Sequence, residues 1–217
     1  MKVLTYSHSG RVSDWSASLD EVVQADFLIP AIPLDAYEST LKSIKNKISK
    51  NTVLVDVCSV KTEPIRIIRS ILPDNRLVAT HPLFGPESAL DSLQGHSLVL
   101  CPADSDPEML QKVEEFAKRL ELEVISMSAV EHDDEMAVVQ GLTFFIAHSL
   151  KDLKLHEQKL STPSFQKLLD LAKLEKHHSN GLFFTIQAGN KQAKYIRRKF
   201  IALAEELDGQ VNQKTVL

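Results

Sequence analysis

The feature that most constrains the fold of this sequence is a series of short apolar runs within its first 130 residues. The runs alternate with segments of helical periodicity. They predict strands at residues 2–6, 27–32, 53–57, 77–80, 97–101 and 123–127. Several of the runs are continuously apolar, as expected for strands that are covered on both faces. Strands that alternate with helices favour a parallel α/β sheet.

The sequence changes character from about residue 131. Helices are predicted at residues 131–158, from Pro163 onward, at residues 182–187 and at residues 193–207. The first of these is so apolar that it needs burial on several sides. We therefore expect an α/β domain at residues 1–130 and an all-helical domain at residues 131–217. We also expect the chain to form a homodimer through the helical domain.

Composition excludes several classes of partner. A formal net charge of −4 gives no bias toward nucleic acid. The two cysteines, Cys58 and Cys101, cannot build a disulfide framework, and neither has the spacing of a metal site. No signal peptide is recognisable, and no run approaches the roughly 18 apolar residues that cross a bilayer. We expect a reduced, cytoplasmic, soluble protein with no bound metal, nucleic acid or membrane.

Polar and turn-forming residues gather where three consecutive predicted strands end. Pro33 follows the second strand, Ser59 and Lys61 follow the third, and His81 follows the fourth. The ligand crevice of an open parallel sheet lies outside the carboxyl ends of its strands, so Ser59, Lys61 and His81 should converge. The alternatives are that Ser59 caps a turn, Lys61 is a solvated loop lysine and His81 is a satisfied loop histidine. Their shared edge favours a small-molecule enzyme.

Two motifs at these strand ends resemble a known family. Asp56-Val-Cys-Ser-Val-Lys61, followed by His81-Pro-Leu-Phe-Gly-Pro86, is similar to the paired motifs of prephenate and arogenate dehydrogenases. The strand that leads into Pro33 resembles the family's strand beside the nicotinamide. Residues 132–142 resemble the opening of its first dimer-domain helix. The resemblance implies a Rossmann-like parallel sheet, incomplete at its N-terminus, followed by an all-helical dimerisation domain.

The same resemblance implies a reaction and roles for individual residues. A hydride passes from the substrate ring to NAD(P)+ and the ring carboxylate leaves as carbon dioxide, a step of tyrosine biosynthesis. His81 is the base-like partner of the ring hydroxyl, which suits an imidazole with an unperturbed pKa of about 6.5. Ser59 orients that hydroxyl beside the cofactor, and Lys61 supports the pocket electrostatically. Gly85 lets the backbone turn beside the ligand, and Gln140 contributes to substrate binding.

The cofactor region departs from the family pattern. The family opens with a strand and a glycine-rich turn that places pyrophosphate on a helix N-terminus. None of the seven glycines of this chain forms GxGxxG. Residues 2–6 instead match the family's second strand, and Ser7, Ser9 and Arg11 in the following loop suit an adenosine 2′-phosphate. NADP is therefore expected over NAD, and the alternative is a polar turn with a solvated arginine.

The absent first strand would lie in the middle of the family's sheet, and its removal leaves unpaired edges. Either the chain is a fragment, or residues 2–6 slip into the central place. In both cases we expect weaker binding of pyrophosphate.

Two further departures concern the substrate. Phe144 stands where the family commonly has a substrate-binding histidine, and Leu174 stands where an arginine is expected to hold a carboxylate. The adjacent Lys173 lacks the bidentate fork of arginine, and His177 and His178 are cations only when protonated. Each lost charge-assisted contact is worth on the order of 1.5–3 kcal/mol. Prephenate specificity is therefore an open question.

Three functions remain open. The first is an NAD(P)-dependent prephenate or arogenate dehydrogenase, which the joint presence of Ser59, Lys61 and His81 favours. The second is a non-catalytic relative that acts as a binding or scaffold module, which the missing glycine loop, Phe144 and Leu174 favour. The third is a related dehydrogenase of another small acid.

Overall fold

The computed structural model describes residues 2–85, 88–174 and 179–214, and of Leu174 only the backbone. Pro86, His177 and His178 therefore lie outside the described residues, as does the Leu174 side chain. The chain divides into two compact units, Met1–Ala129 and Val130–Leu217. Among the described residues, no helix is both long enough and apolar enough to cross a membrane.

A mixed sheet forms the centre of the first unit. Its described strands, in spatial order, are β1 (Phe27–Leu28), β2 (Val53–Asp56), β3 (Leu77–Pro82), β4 (Ser97–Leu100) and β5 (Glu123–Ser126). The neighbours pair in parallel except for β3 and β4, which are antiparallel. The expected class, a largely parallel α/β sheet followed by helices, is confirmed.

One pair of strands, β3 and β4, departs from the parallel arrangement of the rest of the sheet. Parallel neighbours need a crossover connection, usually a helix. The connection between these two strands has no helix in its described residues, 83–85 and 88–96. The chain therefore turns back and runs antiparallel.

The predicted strand at residues 2–6 does not belong to this sheet. Thr5 instead forms an isolated bridge with Ser16. The Thr5 N–H donates to the Trp15 carbonyl at 2.7 Å, and the Ala17 N–H donates to the Thr5 carbonyl at 2.9 Å. Backbone polar groups need partners, and this segment finds them in the loop that follows it. The idea that residues 2–6 take a central place in the sheet is wrong, because the bridge of Thr5 with Ser16 lies outside the five described strands.

Other strand boundaries follow the prediction more closely. The strands predicted at residues 53–57, 97–101 and 123–127 are confirmed, each ending one residue early. The strand predicted at residues 27–32 shrinks to β1, since Pro30 removes a backbone donor from the run.

The end of β3 also differs from the prediction. The strand runs on to Pro82, because His81 pairs with Val99 and Pro82 pairs with Leu98 of β4. His81 therefore lies within the strand and not after it.

Helices cover both faces of the sheet. They are α1 (Leu19–Val22), α2 (Tyr37–Ile44), α3 (Thr62–Ile71) and α4 (Pro107–Arg119). Side chains alternate along β2, so Leu54 packs into a core with α2 and α3, whereas Val53 and Val55 pack against Met109 of α4. Burial on both faces explains why these strands are continuously apolar.

The second unit is helical throughout its assigned elements. They are α5 (Ala129–Met136), a π-helical segment (Ala137–Leu142), α6 (Thr143–Asp152), α7 (Pro163–Leu174), α8 (Asn180–Gly189) and α9 (Lys191–Gln213). The predicted start at Pro163 and the helices predicted at residues 182–187 and 193–207 are confirmed. The long helix predicted at residues 131–158 ends early, at Asp152, and Lys154 adopts a left-handed φ of 54° that is incompatible with continuing it.

A close helix crossing and an amide network hold this unit together. A Cβ added at Gly141 would lie 2.9 Å from the Ala193 Cβ, so the π-helical segment and α9 approach each other closely. The Gln187 amide donates to the Gly141 carbonyl at 2.6 Å, and Arg197 donates to the Gln187 Oε1 at 2.5 Å. The Asn190 side chain caps α9 and donates to the Asp133 carbonyl at 2.6 Å.

Candidate active site

A buried ion pair joins the carboxyl ends of β2 and β3. Asp56 is the last residue of β2, and Lys61 lies in the turn that leads into α3. The Lys61 ammonium donates to the Asp56 Oδ2 and to the carbonyl oxygen of Thr80 in β3. Both charged side chains are 0% exposed. The alternative of a solvated Lys61 is therefore wrong.

The second carboxylate oxygen of Asp56 has two further neighbours that can donate to it. The Tyr37 hydroxyl lies 2.8 Å from the Asp56 Oδ1 and 3.0 Å from the Pro30 carbonyl, and its single hydrogen can serve either acceptor. The Cys58 N–H donates to the Asp56 Oδ1 at 3.0 Å. Buried charges need this degree of pairing, because each ion loses its hydration on burial.

The buried carboxylate changes the titration of its neighbours. Burial, and then the negative charge of Asp56, raise the pKa of the Cys58 thiol to about 11. The same two causes, in the same order, raise the pKa of the Tyr37 hydroxyl far above its ordinary value. Both groups therefore stay protonated and neutral near neutral pH.

Lys61 connects the segment of the first motif to the residue before His81. Thr80 adds a second connection, because its hydroxyl donates to the Asp56 carbonyl at 2.7 Å. His81 follows directly and is 3% exposed, while Ser59 is half-buried in the turn after β2. The two segments that carry the three residues are thus hydrogen-bonded to each other, while the convergence of the three side chains and their catalytic roles stay predictions.

The loop after β3 contains the predicted ligand residue Gly85. The Gly85 N–H donates to the Ser88 hydroxyl at 3.0 Å, and the His96 Nε2 lies 2.8 Å from the Ser88 carbonyl. A Cβ at Gly85 would meet no atom within 4 Å, so the chain itself does not require glycine there. A role beside a ligand stays a prediction.

Apart from the half-buried Ser59, the predicted cofactor residues lie at two places, and of these residues Ser7 is half-buried whereas Ser9, Arg11 and Pro33 are exposed. Ser7 and Ser9 share a hydroxyl contact of 2.9 Å within a turn that continues through Gly10, where φ is 73°. Arg11 follows that turn and is exposed. Pro33 is exposed ahead of α2, and its carbonyl accepts from a backbone N–H at 3.0 Å.

In the second unit, Gln140 lies in the π-helical segment. Among the described residues, no hydrogen-bond partner contacts its buried Oε1, whereas a buried carbonyl oxygen normally has one. π-Helical turns occur frequently at functional sites.

Phe144 is buried, and His148 stacks on Phe183 with ring centroids 4.5 Å apart. Lys173 is exposed and pairs with Asp170 of its own helix at 3.1 Å.

Sequence reasoning missed two parts of this arrangement. Tyr37 and Thr80 were not singled out, since their contacts with Asp56 depend on tertiary packing. The π-helical segment leaves no periodicity signal that differs from that of a helix. Within the described part of the chain, no group of three or more His, Cys, Asp or Glu side chains is arranged to hold a metal ion.

Comparison with known proteins shows which family this sequence matches. Residues 7–126, more than half of the chain, match the family described as prephenate dehydrogenase, nucleotide-binding domain. A probable arogenate/prephenate dehydrogenase of Methanocaldococcus jannaschii is 26% identical over 91% of this chain and 46% of its own length. Arogenate dehydrogenase 2, chloroplastic, of Arabidopsis thaliana is 28% identical over 82% of this chain and 52% of its own length. The chain thus spans about half the length of these curated relatives.

A solved structure shows the same fold. Prephenate dehydrogenase from Aquifex aeolicus, in complex with hydroxyphenyl propionate and NAD+, superposes with a TM-score of 0.71. The match covers 92% of this chain and 74% of that chain at 23% sequence identity. At 23% sequence identity, this similarity establishes a shared fold and nothing about the activity of this chain.

Proposed function

This chain belongs to the prephenate dehydrogenase family, and we propose that it is an NAD(P)-dependent dehydrogenase of prephenate or arogenate in tyrosine biosynthesis. The observation that carries the proposal is the pair of hydrogen bonds that the Lys61 ammonium donates, one to the Asp56 carboxylate and one to the Thr80 carbonyl. It ties the turn that contains Ser59 to the strand residue before His81. The proposed reaction needs a base, here His81, and a hydroxyl donor, here Ser59, at the same end of the sheet.

The chain's own groups supply the proton chemistry in this proposal. Bound NAD(P)+ would accept the hydride from the substrate ring. His81 takes the proton of the ring hydroxyl as that oxygen becomes a carbonyl on the way to the aromatic product, and Ser59 orients the same hydroxyl by a hydrogen bond. Lys61 is fully buried on Asp56, so it acts through the position of the strand ends and not by touching the substrate. General-base catalysis of this kind contributes about 10²–10⁴-fold.

NADP is the cofactor that we propose over NAD. The exposed turn with Ser7, Ser9 and Arg11 offers two hydroxyls and a guanidinium to a ribose 2′-phosphate. The family model begins at residue 7, so this turn lies within the matched region. A change of Arg11 to Ala should raise the KM for NADP+ about 10-fold or more and leave the KM for NAD+ unaffected.

Gln140 is the substrate-binding residue that we propose in the helical unit. Its buried amide oxygen has no partner within the described chain, so a substrate hydroxyl or ammonium can donate to it without displacing another donor. Phe144 offers no polar group to a substrate carboxylate. This combination favours a ligand with a hydrogen-bond donor at that position.

We also propose a homodimer formed through the helical unit. Its long helix α9 exposes an apolar stripe that one chain alone leaves in solvent. The stripe comprises Phe200, Leu203, Leu207 and Val211. Contiguous exposed apolar surface of this kind marks protein interfaces. Light scattering should give twice the monomer mass, and a mass of 24.3 kDa at all concentrations would exclude the dimer.

A second candidate function is a non-catalytic relative that binds ligands or acts as a scaffold. It is favoured by Phe144, which is 8% exposed and apolar where the resemblance leads us to expect a substrate-binding histidine. A related dehydrogenase of another small acid also remains a candidate.

Turnover separates these functions. The chain is mixed with NADP+ or NAD+ and with prephenate, arogenate or a panel of other hydroxy acids, and the absorbance of the reduced cofactor is followed. Reduction with prephenate or arogenate supports the main proposal. Reduction only with another acid supports the related dehydrogenase. No reduction, together with no saturable NADPH binding by fluorescence, would favour the non-catalytic relative, whereas tight saturable binding would count against it.

A further inference from the structure

The polar network around Asp56 contains residues that the proposed reaction does not use directly. Tyr37 from the start of α2, Asp56 from β2 and Thr80 from β3 are all buried. Their bonds connect three elements through Asp56, because the Tyr37 hydroxyl contacts its carboxylate and the Thr80 hydroxyl donates to its backbone carbonyl. The Lys61 ammonium and the Cys58 N–H contact the two carboxylate oxygens, and the bonds of Tyr37 and Thr80 add connections from Asp56 to α2 and to β3.

The network acts on the peptide just before His81. Thr80 is held at two atoms, since its carbonyl accepts from the Lys61 ammonium and its hydroxyl donates to the Asp56 carbonyl at 2.7 Å. Successive strand residues project to opposite faces, so His81 shares a face with Leu77 and Ala79 and not with Thr80. A shift or rotation of the Thr80 backbone would therefore tilt the His81 side chain directly.

We propose that Asp56, Tyr37 and Thr80 are positioning residues that fix the His81 imidazole for proton transfer. The inference rests on the proposed function for its meaning in catalysis, but the position of the imidazole can be measured without turnover. Displacements of about 1 Å at a reacting group can cost about 10²-fold in rate. Removing one bond of the network should therefore lower kcat while the KM for the cofactor stays unchanged.

Asp56 is a poor target for the first test, because removing its charge leaves the buried Lys61 ammonium unpaired and threatens the fold. Neutral hydroxyl deletions avoid this problem. Thr80→Val removes the bond to the Asp56 carbonyl, and Tyr37→Phe removes the hydroxyl beside the carboxylate while it keeps the buried ring.

The chain offers a matched control at the other end of β2. Thr52 and Thr80 are each 1% exposed. The Thr52 hydroxyl donates to the Ala25 carbonyl at 2.8 Å, which compares with 2.7 Å for the bond of Thr80. Thr52→Val therefore deletes the same kind of bond at equal burial, so any general loss of stability should be similar in the two variants.

The test follows the His81 imidazole by NMR in the full chain labelled at its histidines. The His81 signal is assigned by its loss in His81→Asn. We expect Thr80→Val and Tyr37→Phe to shift the His81 ring resonances, and Thr52→Val to leave them unchanged. In turnover, the first two variants should lose about tenfold in kcat at constant KM for the cofactor, and Thr52→Val less than about twofold.

The proposal is overturned if the His81 resonances of Thr80→Val and Tyr37→Phe match those of the unchanged protein, or if Thr52→Val moves them equally. It is also overturned if both network variants keep the full kcat of an active protein. Failure of the proposed function has a different signature, since the unchanged chain then reduces no cofactor with either substrate. The NMR comparison decides the positioning role in that case as well.

Discussion

Replacing Lys61 by methionine removes a buried ammonium and leaves the Asp56 carboxylate without its counter-charge. Both side chains are 0% exposed, so water cannot take the place of the lost ion. Of the contacts described above, the carboxylate then keeps the Tyr37 hydroxyl, 2.8 Å from its Oδ1, and the Cys58 N–H, 3.0 Å from the same oxygen. The Thr80 carbonyl also loses its Lys61 donor.

The magnitude follows from what is left behind. Breaking a buried ion pair by removing one partner costs about 3–5 kcal/mol, which is a large part of the roughly 5–15 kcal/mol that stabilises a typical domain. The double variant with Asp56→Asn should recover much of this loss, because a carboxamide oxygen still accepts from Tyr37 and Cys58 and no charge remains. We expect the coupling energy between the two positions to be on the order of 2 kcal/mol or more.

Urea unfolding followed by circular dichroism measures these free energies, with the m-value as a check on two-state behaviour. The control is Lys112→Met, which breaks an exposed pair with Glu108 at 2.8 Å and should cost less than about 1 kcal/mol. The reasoning is refuted if Lys61→Met costs no more than the control. It is equally refuted if the double variant loses the plain sum of the two single losses.

Two other predictions concern pH and helix packing. Burial raises the pKa of Cys58 to about 11 from an ordinary value of 9.0, so the unfolded thiol ionises first and stability falls as pH rises from about 9 to about 11. The loss should be on the order of 2–3 kcal/mol in alkaline thermal melts and smaller in Cys58→Ala; an equal loss in both would refute this assignment. Gly141→Ala should cost about 1–3 kcal/mol, because its Cβ would lie 2.9 Å from the Ala193 Cβ. Gly209→Ala, in open space on α9, should instead stabilise by roughly 0.5–1 kcal/mol in the same denaturation assay, and equal effects would contradict the packing argument.

Patterns that depend on burial were predictable from the sequence. The runs at residues 53–57 and 97–101 became strands because helices cover both faces of the sheet there. The run at residues 2–6 did not, since a strand also needs a neighbour and this segment pairs only with its own loop. The antiparallel turn after β3 did leave a signal, namely a connection to β4 without helical periodicity.

The sequence indicated the edge of the sheet where the candidate site lies, but it did not indicate the hydrogen bonds that connect its residues. The carboxyl ends of neighbouring strands meet at one edge, which was enough to group Ser59, Lys61 and His81. The choice of Asp56 as the partner of Lys61, and the approach of Tyr37 from α2, depend on packing between elements that are distant in sequence. Local periodicity carries no information about such contacts.

We propose that His81, at the end of β3, carries the proton chemistry of an oxidative decarboxylation. The most direct test compares kcat for His81→Asn with kcat for His156→Asn, which changes an exposed histidine of the helical unit. We expect His81→Asn to lose about 10²–10⁴-fold in kcat and to keep its affinity for NADP+, and His156→Asn to keep full activity. Equal turnover by the two variants would contradict it.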